Sequence, residues 1–148
     1  MIRLYQPADR EALLELFRLN TPVYFHPQEQ ADLEQFLTEE SQHYYVLEED
    51  GKILASGGYA IEDNEGWLTW YIVHPDQQGK GLGAQLVNNA LERMSKQKLD
   101  KLVVRTSQLV YKFYEKFGYR LVSTQDDYWA PGLHLYHMEM EAHNLTRL

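Results

Sequence analysis

Apolar residues change their spacing several times along this chain, and each change marks an element. Residues 2–5, IRLY, form a short apolar strand that stops ahead of Pro7. From Asp9, which reads as an N-cap, Leu13, Leu16 and Phe17 recur at helical spacing. A break at TPVYFHP, residues 21–27, separates this helix from a second one over ADLEQFLTEE, residues 31–40. YYVLEEDGKILASGGYAI, residues 44–61, predicts a hairpin of two β-rich runs around Asp50-Gly51, a strong two-residue turn signal. EDNEG then turns the chain into the strand WLTWYIV, residues 67–73. Further on, Leu86, Val87, Ala90, Leu91 and Met94 make one apolar helical face, and KLVVRT, residues 101–106, is a β-branched strand. Val110, Phe113, Tyr114 and Phe117 line another helix, which stops at Gly118. YRLVST and LHLYHMEM close the chain as strands on either side of a polar and aromatic loop, QDDYWAPG. The order is βααβββαβαββ, which predicts an α/β protein with helices packed on a mixed sheet.

One stretch breaks every period. HPDQQGKGLG, residues 74–83, sets glycines at every second position between a strand and a helix. In that geometry consecutive backbone N–H groups are left unpaired and point outward, at a helix start carrying about half a positive charge. Glycine there lets a bulky anion approach the main chain, so the stretch reads as a phosphate site. The Walker pattern does not fit, because Lys80 is followed by Gly81 rather than Ser or Thr. The dinucleotide fingerprint does not fit either: its first glycine belongs tight against the strand end, and its last lies further away.

Size and composition narrow the partners. The 148 residues, 44% hydrophobic, suit one domain, 1–148, with a real core and no room for two ordinary ones. With no cysteine, disulfides, thiolate nucleophiles and cysteine-held zinc are excluded. The formal charge of −8 argues against nucleic acid and anionic membranes, leaving a cationic or neutral small partner. Charges are spread through the first residues and no long apolar run follows, so the expectation is a soluble, cytoplasmic protein with no membrane association.

HPDQQGKGLGAQL resembles the acyl-CoA-binding signature of the GNAT superfamily of N-acetyltransferases, Gln/Arg-x-x-Gly-x-Gly/Ala, which here is Gln78-Gly79-Lys80-Gly81-Leu82-Gly83. Downstream, SQLVYKFYEKFGYR is similar to the family's second signature, a helix carrying a Tyr and ending in Gly-aromatic. The element order matches the family from end to end. The resemblance implies acetyl-CoA as cofactor, with the main-chain amides from Gln78 through Gly79, Lys80, Gly81, Leu82 and Gly83 to Ala84 holding the pyrophosphate. It implies that the backbone of Ile72 and Val73 pairs with the pantetheine arm, in a gap where that strand splays from the next. Tyr114 takes the place of the general acid that protonates the departing thiolate. Many members carry an Asn before this helix to contact pantetheine; here Ser107 stands there, so the contact falls to its hydroxyl or to Gln108.

The acceptor side is less defined. Attack on a thioester needs a neutral amine, hence a base within reach. Members that use a strand Glu place it where this chain has Trp67 and Thr69, which leaves Glu62, Asp63, Glu65, His26 and His134, with none preferred. The amide of Val73 is the expected donor to the tetrahedral oxyanion. Tyr24, Phe25, Trp70, Tyr71, Tyr128 and Trp129 exceed the aromatic needs of so small a core, and with Asp126 and Asp127 they suit a compact cationic or aromatic amine. Tyr24, Phe25, Trp70, Tyr128 and His134 are therefore the expected acceptor contacts. No metal is expected, since His134-x-x-His137 in a strand sends its rings to opposite faces. Ser107 lacks the glycine-flanked elbow of a serine hydrolase. The expected activity is direct acetyl transfer from acetyl-CoA to a small primary amine through a ternary complex. The alternatives are a non-catalytic acyl-CoA sensor and, further off, a protein that binds ATP in the same loop. The alternation of LHLYHMEM suits a strand able to pair across a homodimer.

Overall fold

The computed structural model describes residues 1–143. The chain divides into two compact units, residues 1–60 with 69–90 and residues 61–68 with 91–148. Seven strands follow the order β1-β2-β3-β4-β5-β7-β6.

In the first unit, β1 (Ile2–Leu4) pairs antiparallel with β2 (Tyr44–Glu49), and β2 with β3 (Lys52–Glu62). The expected Asp50-Gly51 turn joins them; both residues have positive φ, 52° and 76°, as a two-residue hairpin of the favoured hand requires. Helices α1 (Arg10–Leu19) and α2 (Gln30–Glu39) turn Leu13, Leu16, Phe17, Leu33, Phe36 and Leu37 onto Tyr44, Val46 and Ile72. Each such leucine contributes about 1.5–3 kcal/mol by leaving water. Asp9 occupies the N-cap position of α1 as expected, but its side chain makes no capping bond to that helix. Its carboxylate turns back to accept from the Gln6 N–H at 2.9 Å and from the Arg3 guanidinium at 2.8 and 2.9 Å, ending a short 3-10 turn over Pro7–Asp9. Arg3 and the Gln6 amide hold this carboxyl below its usual range, against the opposing effect of burial.

The second unit holds the start of β4 (Glu65–Val73), then β5 (Lys101–Thr106), α4 (Tyr111–Glu115), β6 (Arg120–Ala130) and β7 (Leu133–Glu141). β4 runs parallel to β5 with Glu65 opposite Lys101 and Trp67 opposite Val103. Leu102, Val104, Met138 and Met140 are buried on one sheet face. Gly66 is required there by space: a Cβ would lie 2.5 Å from Met94 Sδ, at the end of α3 (Leu82–Met94).

Two expectations need correction. QDDYWAPG is not a loop, because β6 continues to Ala130 and the chain reverses only at Pro131-Gly132. This edge strand is exposed along nearly its whole length, so polar residues suit it, and an irregularity around Asp127 (φ 54°) absorbs the break in alternation. LHLYHMEM cannot extend a sheet across a dimer, because β7 is paired with β5 on one edge and β6 on the other. Among the described residues no helix is long and apolar enough to cross a membrane.

Candidate active site

The glycine stretch lies in the first unit, between β4 and α3. His74 stops the strand and its Nδ1 accepts the Asp76 N–H at 3.1 Å, opening a 3-10 turn over Pro75–Gln77. Gly79 and Gly81 both sit at φ 82°, a conformation that L side chains adopt only at a cost. Nothing lies within 4 Å of a Cβ at either position, so the backbone conformation demands glycine and the space beside it is open. Helix α3 follows at once, with Gln85 N–H the first to reach back, to the Gly81 carbonyl at 3.1 Å. Leu82 is buried and anchors the helix start, while Lys80 points away to Gln77 at 3.4 Å.

A buried amide braces this turn. Asn20, at the end of α1, donates through Nδ2 to the Leu16 carbonyl at 2.9 Å and to the Val73 carbonyl at 3.1 Å. Its Oδ1 accepts from Gln78 Nε2 at 3.2 Å, and Gln78 also donates to the Val73 carbonyl at 3.3 Å. The side chain of Gln78 thus ties the loop to the strand end, and the carbonyl of Val73 is already engaged. Asn20 carries no local sequence signal. Its partners lie 4, 53 and 58 residues away.

Upstream in β4, Trp70 has φ 47°, an outlier for a bulky residue, and its carbonyl accepts from the Tyr44 hydroxyl. The Trp70 ring stacks on Phe25 with centroids 6.0 Å apart, and Phe25 packs on Phe17 at 5.4 Å. These two expected acceptor residues therefore help build the α1–α2 core, as does the side chain of Ile72. Tyr24 is half-buried in the turn after α1, its N–H donating to the Asn20 carbonyl. His26 accepts the Gln28 N–H on Nδ1, and its own N–H reaches Glu29 at 2.8 Å. Burial pushes the carboxyl of Glu29 up, a titratable group the sequence reading passed over.

In the second unit, Ser107 is buried and its Oγ accepts the Leu109 N–H at 3.2 Å, shaping the turn into α4. Gln108 has both ends engaged, donating to the Gly132 carbonyl at 2.8 Å and accepting the His134 N–H at 2.9 Å. Tyr114 is buried on α4 against Phe113 and Tyr119, at 5.0 and 6.2 Å between centroids. Burial raises its pKa, so the phenol keeps its proton through the alkaline range. Tyr128 lies under the Arg105 guanidinium, 5.1 Å from the ring centroid. His134 accepts the Asp127 N–H on Nδ1 at 3.0 Å. Glu62 and Asp63 stand exposed at the β3–β4 turn, and Glu65 is paired with Lys101 at 3.4 Å. Among the described residues there is no group of three or more His, Asp or Glu that could hold a metal ion.

Comparison with known proteins bears on both halves. Residues 15–142 match the family model of the acetyltransferase (GNAT) domain. An acetyltransferase of Pectobacterium atrosepticum is 26% identical over 126 residues, covering 82% of this chain and 88% of that protein. The ribosomal-protein-S18-alanine N-acetyltransferase of Escherichia coli superposes with a TM-score of 0.79 at 18% identity, over 96% of this chain and 93% of that one. An aminoglycoside 6'-N-acetyltransferase complexed with coenzyme A gives 0.76 at 14% identity, over 96% and 97%.

Proposed function

This chain belongs to the GNAT acetyltransferase family, and from that premise we propose that it transfers an acetyl group from acetyl-CoA to a small primary amine. The observation that carries the cofactor half is the turn at Gly79 and Gly81. Two left-handed glycines with open space beside them precede a helix whose first amides have no carbonyl to reach back to. The amides from Gln78 to Ala84 suit a pyrophosphate, and CoA occupies a structural neighbour with the same fold. In this reading the domain spans residues 1–148 and works in the cytoplasm. Ile72 and Val73 meet the pantetheine arm through their backbone, and the Val73 amide meets the oxyanion. Ser107 retains a hydroxyl proton to donate, whereas Gln108 has no free end. Tyr114 protonates the departing sulfur.

The acceptor class rests on charge and ring chemistry. Two neighbours with one fold act on acceptors as different as a ribosomal protein and an aminoglycoside, so the fold does not choose. A net charge of −8 favours a cation, and the exposed Tyr128 beside Asp126 and Asp127 suits a compact one better than a nucleic-acid-bound protein. The test is thiol release from acetyl-CoA over a panel of polyamines, amino acids, aminoglycosides, aromatic amines and a lysine peptide. The chain has no cysteine, so a thiol reagent reports only CoA. Release with one class above hydrolysis supports the reading. Acetyl-CoA binding without release on any amine favours an acyl-CoA sensor instead.

A further inference from the structure

Among the described residues five besides glycine have positive φ, and four of them are Asp or Asn, whose short polar side chains tolerate it. The fifth is Trp70, at 47° inside β4. A bulky residue keeps such a conformation only where its surroundings hold it. The holder here is Tyr44, the fully buried first residue of β2. Val46 faces Ser56 across the β2–β3 ladder and Tyr44 lies two residues along on the same face, so the Tyr44 ring crosses β3 beside Ser56. Its hydroxyl meets the Trp70 carbonyl on one side and Ser56 Oγ, at 2.9 Å, on the other. A carbonyl only accepts and a phenol has one proton, so Tyr44 donates to Trp70 and the buried Ser56 donates to Tyr44. The ring itself packs edge-on against Phe36 at 5.0 Å and Tyr5 at 6.1 Å between centroids, contacts that a phenylalanine would keep. The hydroxyl serves the kink.

Residues 71–73 are therefore clamped at both ends. A trans peptide sets the Tyr71 N–H opposite the Trp70 carbonyl in one rigid plane, so fixing the carbonyl fixes the amide. At the far end the Val73 carbonyl is held by Asn20 and Gln78, and the His74 N–H of the same plane reaches the Leu54 carbonyl at 2.8 Å. Between the two clamps Ile72 is buried in the core with α1 and α2, and the Tyr71 ring lies where a Cβ on Gly57 would collide with it. Every group in this arrangement belongs to the first unit, as does the glycine turn.

We propose that Tyr44 is a positioning residue for the transfer: through the Trp70 carbonyl, and backed by Ser56, its hydroxyl holds the kink that sets the Ile72 and Val73 backbone for the acyl-pantetheine end of the cofactor. This rests on the acetyl-CoA reading and deepens it by dividing the work between two supports. The turn at Gly79 and Gly81 takes the pyrophosphate, and the strand held by Tyr44 takes the arm and presents the Val73 amide to the oxyanion. The two supports are separable, because the kink is fixed from β2 and the turn by its own glycines and Asn20.

The test compares two ligands. ADP carries the pyrophosphate without the arm, and its binding is measured beside that of acetyl-CoA by calorimetric titration, with amine-dependent thiol release giving kcat. Tyr44→Phe should leave ADP affinity at the wild-type value, weaken acetyl-CoA about tenfold and lower kcat on the order of 100-fold, as misplacement of a reacting geometry does. Ser56→Ala leaves the phenol its bond to the carbonyl and should show the same split at smaller size. Nitrogen-15 spectra of Tyr44→Phe should show the Ile72 and Val73 amides displaced, with those of Gly79 and Gly81 in place. Unmoved Ile72 and Val73 amides, wild-type kcat and acetyl-CoA affinity in Tyr44→Phe, or ADP weakened as much as acetyl-CoA in either variant overturns the inference and leaves the acetyltransferase reading standing. A wild type that binds acetyl-CoA no tighter than ADP, or releases no thiol on any amine, overturns that reading and the positioning role with it.

Discussion

The turn at His74–Gly83 and the sheet face that carries His137 are made of different material. The turn is backbone: two residues at φ 82°, a helix start, and an uncharged amide, Asn20, bracing it from inside. The face is side chains: Glu65, Lys101, Glu139 and His137 drawn from three strands. A backbone site is insensitive to pH and intolerant of shape. A face of ionised side chains is the opposite, and mutations should separate the two.

The largest effect is expected from shape. Gly81→Val forces a β-branched residue into the left-handed region, at roughly 1–2 kcal/mol or more for the backbone alone, and puts a side chain where the phosphates would lie. CoA affinity should fall at least 100-fold by calorimetric titration, while circular dichroism stays native because no protein atom lies within 4 Å of a Cβ there. Retained CoA binding would mean that the turn is not the anion site. Next comes Tyr114→Phe, which removes one hydroxyl and keeps the ring packing on Phe113 and Tyr119. Turnover should drop on the order of 100-fold with CoA affinity unchanged, and an unaffected rate would exclude Tyr114 as the acid.

The same contrast explains what was legible in the sequence. A left-handed backbone demands glycine, so Gly79 and Gly81 show directly, as does the Asp50-Gly51 turn with its two positive φ values. Apolar spacing located α1, α2 and α3 because each buries one stripe. β6 was misread beyond Thr124 because an exposed edge strand has no buried face to impose alternation, and its acids and aromatics then read as a loop. The His137–Glu139 pair is only two residues apart, but its setting comes from Lys101 and Trp67, which the sheet register supplies. Asn20 went unnoticed for the same reason.

Bracing by Asn20 gives the third prediction. Asn20→Ala removes a buried amide and leaves the Val73 carbonyl with one partner fewer and Gln78 with only one of its two acceptors. The expected loss is about 1–3 kcal/mol in chemical denaturation, equal at every pH because no titrating group is removed. A loss that varied with pH would show that the brace of the turn is coupled to charge after all.

Glu139→Gln should give the smallest change and the opposite profile. Glu139 is mostly shielded from water, and its hydrogen bond with His137 and its ion pair with Lys101 hold its carboxyl below the ordinary value of 4.5. The folded state therefore binds fewer protons here than the unfolded chain in the acid range. The stabilisation is whole above the ordinary value and disappears as pH falls through the lowered one. At neutral pH the variant should be less stable by about 0.5–1 kcal/mol, a partly screened pair contributing no more. In acid the two denaturation curves should converge, whereas those of Asn20→Ala and the wild type stay apart. Convergence of neither would remove the electrostatic distinction between the two surfaces. Convergence of Glu139→Gln alone would show that one surface is held by backbone geometry and the other by charge.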